Sequence, residues 1–224
     1  MHRPARIPPS SEEKVYSYKR QMTRKRLVES ARDLFARKGI KDTTVEEICE
    51  NQNLSRGSFY PNFDDVDDLI KAVIDREFGL VQDTLESLGT RIKAEKEAPS
   101  DLSGQGLYNM WYSLLEALPL TKIYYLLSKE LHLYAFRNPS VLERLREGMF
   151  ECAYILADGL ESMVDVCDLR SHVDSYQLAI MVSGVVMQHY QFSLYYGYNR
   201  DHQIFLDKTA RSLTQLMCCV CTTH

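Results

Sequence analysis

The chain is 224 residues long with 45% hydrophobic and 26% charged residues, which excludes a wholly disordered polymer and supplies apolar material for one large or two modest cores. Only 10 glycines and 7 prolines punctuate it, which speaks against a turn-rich β-sandwich and predicts an all-α fold of long helices. Net charge is −4, yet residues 1–44 hold twelve Lys and Arg against five Asp and Glu, and residues 45–224 hold fifteen against twenty-six, the distribution expected of a small nucleic-acid-binding head on a larger acidic body.

Residues 1–20, rich in Pro, Ser, Lys and Arg, read as a flexible basic arm. Residues 21–66 read as three helices. The first is expected over about Met22 to Lys38, where Leu27, Ala31, Leu34 and Phe35 share a face and Gly39 supplies the left-handed residue that ends it. Thr44 to Glu47 spells a capping box that opens a short second helix, with Val45 and Ile48 on its buried face. That helix must stop near Gln52–Asn53, because Asn tolerates the left-handed conformation of a tight turn. Ser55 then caps a third short helix, Arg56 to Phe63, and two short helices across such a turn make a helix-turn-helix candidate.

Residues 67–224 read as a larger helical domain. A long amphipathic helix spans about Val66 to Ile92, and the polar stretch Lys93–Gly104 forms a loop. Helices follow at about Leu107–Leu118, Leu120–Arg137, Ser140–Val164, Asp174–Tyr196 and Ile204–Cys221, about nine in all, separated by Pro119, Asn138-Pro139, Asp165–His172 and Gly197–His202. No strand alternation stands out. The longest nearly apolar run, Leu178–Met187, is too short to cross a bilayer, and Met1–Ser11 has no apolar signal core, so no membrane partner and a cytoplasmic location are expected. The six cysteines read as free thiols. Cys218, Cys219, Cys221 and His224 do not assemble a closed metal site, because adjacent helix positions diverge by about 100°. Neither a Gly-rich phosphate loop nor a nucleophile elbow is present, so the chain is not read as an enzyme, and no catalytic residue, cofactor or metal is assigned.

Three segments carry a family likeness: Ala31-x-x-Leu34-Phe35-x-x-Lys38-Gly39, Thr43-Thr44-Val45-x-x-Ile48, and Leu54-Ser55-Arg56-Gly57-Ser58-Phe59-Tyr60-x-Asn62-Phe63. Through residues 27–69 the chain resembles the TetR/AcrR family of transcriptional regulators. The resemblance implies an N-terminal three-helix DNA-binding domain followed by a larger helical domain for ligand binding and dimerisation. Ser55, Arg56, Gly57 and Ser58 open the recognition segment, where Arg can pair bidentately with guanine and glycine lets a backbone approach. The resemblance adds Thr44, Tyr60 and Asn62 as contacts to DNA, and gives Leu54, Phe59 and Phe63 to the packing of the head. Three features depart from the family pattern. Asn replaces the turn glycine, Pro61 interrupts the recognition segment, and Val66 stands where many members carry a phosphate-gripping Lys, inside the acidic run Asp64-Asp65-Val66-Asp67-Asp68. The basic residues Arg3, Arg6, Lys14, Lys19, Arg20, Arg24, Lys25 and Arg26 could compensate along the DNA backbone.

Aromatic density in the central helices suits a pocket for a hydrophobic or aromatic molecule, and Trp111, Tyr112, Tyr124, His132 and Tyr154 are its expected lining. The stripe Leu206, Ala210, Leu213, Met217 and Val220 recurs every three or four residues, and Ser183-Gly184 permits close approach of another backbone. Gly184, Leu206, Leu213 and Met217 are therefore expected at a dimer interface. The expected partners are a double-stranded palindromic operator, a small-molecule effector and a second copy of the chain, in a homodimeric repressor released by its effector. The alternative is a dimeric small-molecule sensor or interaction protein whose DNA head is weakened by the acidic run.

Overall fold

The computed structural model describes residues 11–94, 104–166, 169–197 and 202–223. Among them are eight α-helices: α1 (Ser11–Lys38), α2 (Val45–Glu50), α3 (Val66–Ala94), α4 (Gly104–Ala117), α5 (Lys122–Ala135), α6 (Pro139–Val166), α7 (Ser175–Tyr195) and α8 (His202–Val220). The fold is all-α, as composition and periodicity predict. One small addition escaped the sequence: β1 (Leu169–Ser171) pairs antiparallel with β2 (Cys221–Thr223), Leu169 opposite Thr223. Strands of three residues are too short to show an alternating pattern.

Local devices set the head. Gly39 takes φ +89°, and its N–H reaches the Phe35 carbonyl at 3.0 Å to end α1. Thr44 Oγ1 accepts the Glu47 amide while Glu47 Oε2 accepts the Thr44 amide at 2.9 Å, closing the capping box of α2. Asn53 takes φ +51° in place of a turn glycine.

Two boundaries differ from expectation. α1 begins at Ser11, so residues 11–20 continue a helix instead of belonging to a flexible arm. That stretch contains no Gly or Pro to break a helix. Residues 1–10, with Arg3 and Arg6, lie outside the described residues. The expected helix Arg56–Phe63 is instead a 3-10 turn, Arg56–Ser58, continued by consecutive turns. Pro61 has no N–H to give an α-ladder, and the segment closes on itself through Asn62 and Phe63, whose amides reach the Phe59 carbonyl.

Two cores result. The first joins Leu27, Ala31 and Phe35 of α1, Ile48 of α2, Phe59, Phe63 and the start of α3 to Leu127, Leu131, Val141 and Leu145 of α5 and α6. The head therefore shares its core with the second part of the chain. The second core joins α4, α6, α7 and α8 around Trp111, Leu160, Leu178 and Leu213. α3 and α6 pack closely where Gly148 meets Phe78; a Cβ on Gly148 would lie 2.3 Å from the ring.

Candidate nucleic-acid interface and effector cavity

The candidate reading segment, Arg56–Ser58 and the turns that follow it, is braced by α1 and α2. Ser30, fully buried on α1, donates to the Ile48 carbonyl at 2.7 Å and accepts from Asn51 at 3.1 Å, so the polar turn after α2 is answered by a polar residue beneath it. Arg26 donates to the Gln52 carbonyl, and Arg24 stacks over the Phe63 ring, its guanidinium carbon 4.1 Å from the centroid, while donating to the Asn62 carbonyl. Two cations expected to serve DNA as part of the arm thus also brace the turn and the recognition segment.

Ser55, Arg56, Gly57 and Tyr60 are exposed, and Ser58 is half-buried with its hydroxyl 3.3 Å from that of Ser55. Arg56 Nη1 lies 2.9 Å from the Glu46 carboxylate, and Nη2 donates to the Tyr60 hydroxyl at 3.2 Å. The Tyr60 bond first, then Glu46, raises the Arg56 guanidinium above its ordinary value. A Cβ on Gly57 would meet only Ser55 Oγ, at 3.8 Å, so packing within the chain does not demand glycine there. Thr44 is exposed beside this surface. The Lys38 ammonium, 2.6 Å from Glu47, and the Thr44 amide hold the Glu47 carboxyl down at about 2.

Asn62 does not join the exposed set. It is 7% exposed, its Nδ2 donates to the Ser58 carbonyl at 2.8 Å, and its Oδ1 is buried without a partner. A buried amide cannot offer its side chain to a base edge, so the expected DNA contact at Asn62 is corrected to a brace of the recognition segment. The acidic run is likewise largely structural. Asp65 accepts the Asp68 amide at 2.8 Å and so caps α3. Asp67 turns to α5 and α6, accepting from Tyr134 at 2.7 Å and Ser140 at 3.3 Å, and Val66 packs against the head core.

A cavity of about 460 Å3 opens among α3, α4, α5, α6 and α7. Its walls are mainly apolar, and its polar groups include Glu77, Tyr124, His132 and Cys152. His132 Nδ1 sits 2.7 Å from the Ser128 carbonyl, which places the proton of a neutral ring there and leaves Nε2 to accept. Burial, then the neighbouring Cys152 and Glu77, pushes the Tyr124 phenol up to about 12. Of the five expected lining residues, Tyr124 and His132 meet here. Trp111 lines an adjoining cavity of about 280 Å3 that shares Leu85, Leu114 and Leu156, with its Nε1 buried and unpartnered. Tyr112 packs instead on Tyr108 and against the second core, and Tyr154, 64% exposed, packs on Tyr176 on the outward side of α6; neither lines these two cavities.

Glu77 was not singled out in the sequence. It is 6% exposed; Oε1 accepts Arg32 Nε at 2.8 Å and also Arg76, whereas Oε2 is buried without a partner. Its sequence context, a glutamate after an arginine on a polar helix stretch, resembles any solvated pair and gives no signal of burial.

The expected dimer stripe is also corrected. Leu206, Leu213 and Met217 are at most 1% exposed and form the inner face of α8 within one subunit, because three-four spacing marks an apolar face without saying what covers it. Gly184, by contrast, lies on the exposed side of α7, where a Cβ would meet nothing within 4 Å.

A helix-turn-helix head joined by a common core to an all-helical body with an apolar cavity defines a class, the helix-turn-helix transcriptional regulators with a helical second domain. Residues 27–73, the helix-turn-helix head and the start of α3, match the model of the bacterial regulatory proteins of the tetR family. Solved structures of the same fold include a TetR-family regulator from Mesorhizobium loti, 19% identical with TM-score 0.73 over 91% of this chain and 98% of that one. Another is SmeT, repressor of the Stenotrophomonas maltophilia multidrug efflux pump SmeDEF, 17% identical with TM-score 0.61 over 91% and 92%. A third is FadR from Bacillus subtilis in complex with stearoyl-CoA, 15% identical with TM-score 0.62 over 86% and 96%. No curated protein matches the chain by sequence. Among the described residues no helix is long and apolar enough to cross a membrane.

Proposed function

We propose that the protein is a homodimeric transcriptional repressor that reads a palindromic operator through Thr44, Ser55, Arg56, Gly57, Ser58 and Tyr60 and leaves it when a small hydrophobic or aromatic effector fills the cavity of the body. The observation that carries this reading is the shared core. Phe59 and Phe63 of the reading segment and Leu127 and Leu131 of α5, a wall of the cavity, belong to one packed cluster, so occupancy of the body bears on the pose of the head. Stearoyl-CoA bound to FadR, a structure of the same fold, supports a ligand in such a body.

Two copies would meet along the outer face of α7, where Met181, Gly184, Gln188, Gln191 and Tyr195 recur every three or four residues, Gln191 half-buried and the other four exposed. Against the alternative of a disabled head stands the disposition of the acidic run, since Asp67 faces the body and Asp65 is occupied at the start of α3.

Selection of bound sequences from a random duplex library tests the proposal. Enrichment of a two-fold palindrome by a dimeric protein is expected; enrichment of no sequence would contradict it.

A further inference from the structure

The wall of the cavity includes Glu77, whose Oε2 is a buried acceptor with no donor to meet it among the described residues. Glu77 Oε1 takes both arginine contacts, and nothing among the described residues bonds Oε2, although the residue lines a cavity large enough for a small organic molecule. Buried polar atoms are rarely left in this state, and an anionic oxygen least of all. The surrounding network has a charge mismatch of the same sense. Arg32 and Arg76 face three carboxylates, with Arg32 3.2 Å from Asp33 and 2.8 Å from Glu77, and Arg76 2.6 Å from Glu29 and also on Glu77. One negative charge is in surplus. The other charged residue of the lining, Lys129, is exposed, with its ammonium 4.9 Å from the Tyr125 ring centroid, and does not neutralise it.

Resting on the effector reading above, we propose that this cavity selects a hydrophobic amine, whose ammonium group donates to Glu77 Oε2 while its apolar part fills the space between Phe78, Leu114, Leu156 and Val186. The same carboxylate fastens α1 to α3 through Arg32, a residue of the helix that carries the head. An ammonium group on Glu77 shares the charge that holds Arg32, so the amine and the anchor of α1 compete for one group. No bond is made or broken covalently in this exchange.

The test uses n-decylamine, n-decanol and n-decanoate, which present one chain with a cationic, a neutral and an anionic head. Each is titrated calorimetrically into the full chain below its micelle-forming concentration. Decylamine is expected to bind roughly tenfold or more tighter than decanol, with decanoate weakest. Glu77→Gln should abolish the preference for the amine over the alcohol. Arg32→Gln, which keeps Glu77 and removes its competitor, should strengthen decylamine binding while leaving decanol unchanged; a merely structural role for the pair would weaken both. Equal binding of the three probes, preference for decanoate, binding of none, or an amine preference that survives Glu77→Gln would overturn the proposal. Duplex selection by the unliganded protein judges the regulator reading separately, so a chain that selects a palindrome but ignores decylamine loses only the present inference.

Discussion

Arg56 is held before any nucleic acid arrives, between the Glu46 carboxylate at 2.9 Å and the Tyr60 hydroxyl at 3.2 Å. Both partners are exposed or half-exposed, so the pair is a weak clamp that orients the guanidinium and yields to a stronger acceptor such as guanine or phosphate. Arg56→Ala and Tyr60→Ala should each lower affinity for the selected duplex about tenfold to a hundredfold by fluorescence anisotropy, without shifting the melting temperature; unchanged affinity would remove these residues from the interface. Glu47 offers a pH reading of the same region. It titrates at about 2 when folded, against an ordinary value of 4.5, so its capping contribution is full above about 4.5 and is lost as pH falls toward 2. NMR titration should find this low value in the wild type and a rise toward 4.5 in Lys38→Met, because the Lys38 hydrogen bond is the largest cause; an unmoved value would contradict the assignment.

At the scale of elements, packing decides what substitutions do. Gly148→Ala gains helix propensity but drives a methyl group into the Phe78 ring, and a net loss of about 1–2 kcal/mol is expected in denaturant unfolding; a more stable variant would show that the α3–α6 contact has slack. Leu213 on α8 and Gly184 on α7 separate stability from the proposed association. Leu213, fully buried in the second core, should cost about 2–5 kcal/mol as Leu213→Ala. Gly184→Arg, on an open face, should leave the fold intact and shift a dimer toward monomer in light scattering. Dimeric Gly184→Arg would move the interface elsewhere.

The elements also show what the sequence could disclose. Gly39, the Thr44–Glu47 box and Asn53 were legible because each rests on local backbone chemistry within a few residues. The start of α1 was hidden by a composition shared between helices and solvated arms. The α8 stripe was visible as a stripe, but its cover, α4 and α7, lies far away in sequence. Glu77 and Asn62 were illegible for the same reason, since the residues that meet them, Arg32 and Arg24 on α1, lie some forty residues upstream.

Across the whole molecule, the head is fastened to the body at several independent places. The first core spans α1, α2, α3, α5 and α6; Arg32 and Arg76 tie α1 to α3 through Glu77 and Glu29; and Glu130 of α5 accepts the Ile40 amide at 3.3 Å just beyond α1. A head so fixed can change its angle only with the body, as one subunit of a symmetric dimer must if the spacing of two reading segments is to answer an effector. The surface proposed to meet DNA is basic at α1, through exposed Lys19, Arg20, Lys25 and Arg26, while the acidic run is turned largely to structural use. The most direct measurement is titration of the selected duplex by wild type and Arg56→Ala at two salt concentrations. Steep salt dependence is expected for both, from phosphate contacts, with Arg56→Ala weaker and less selective against a scrambled duplex. Salt-independent binding, or a variant that discriminates as well as the wild type, would contradict a reading head centred on Arg56.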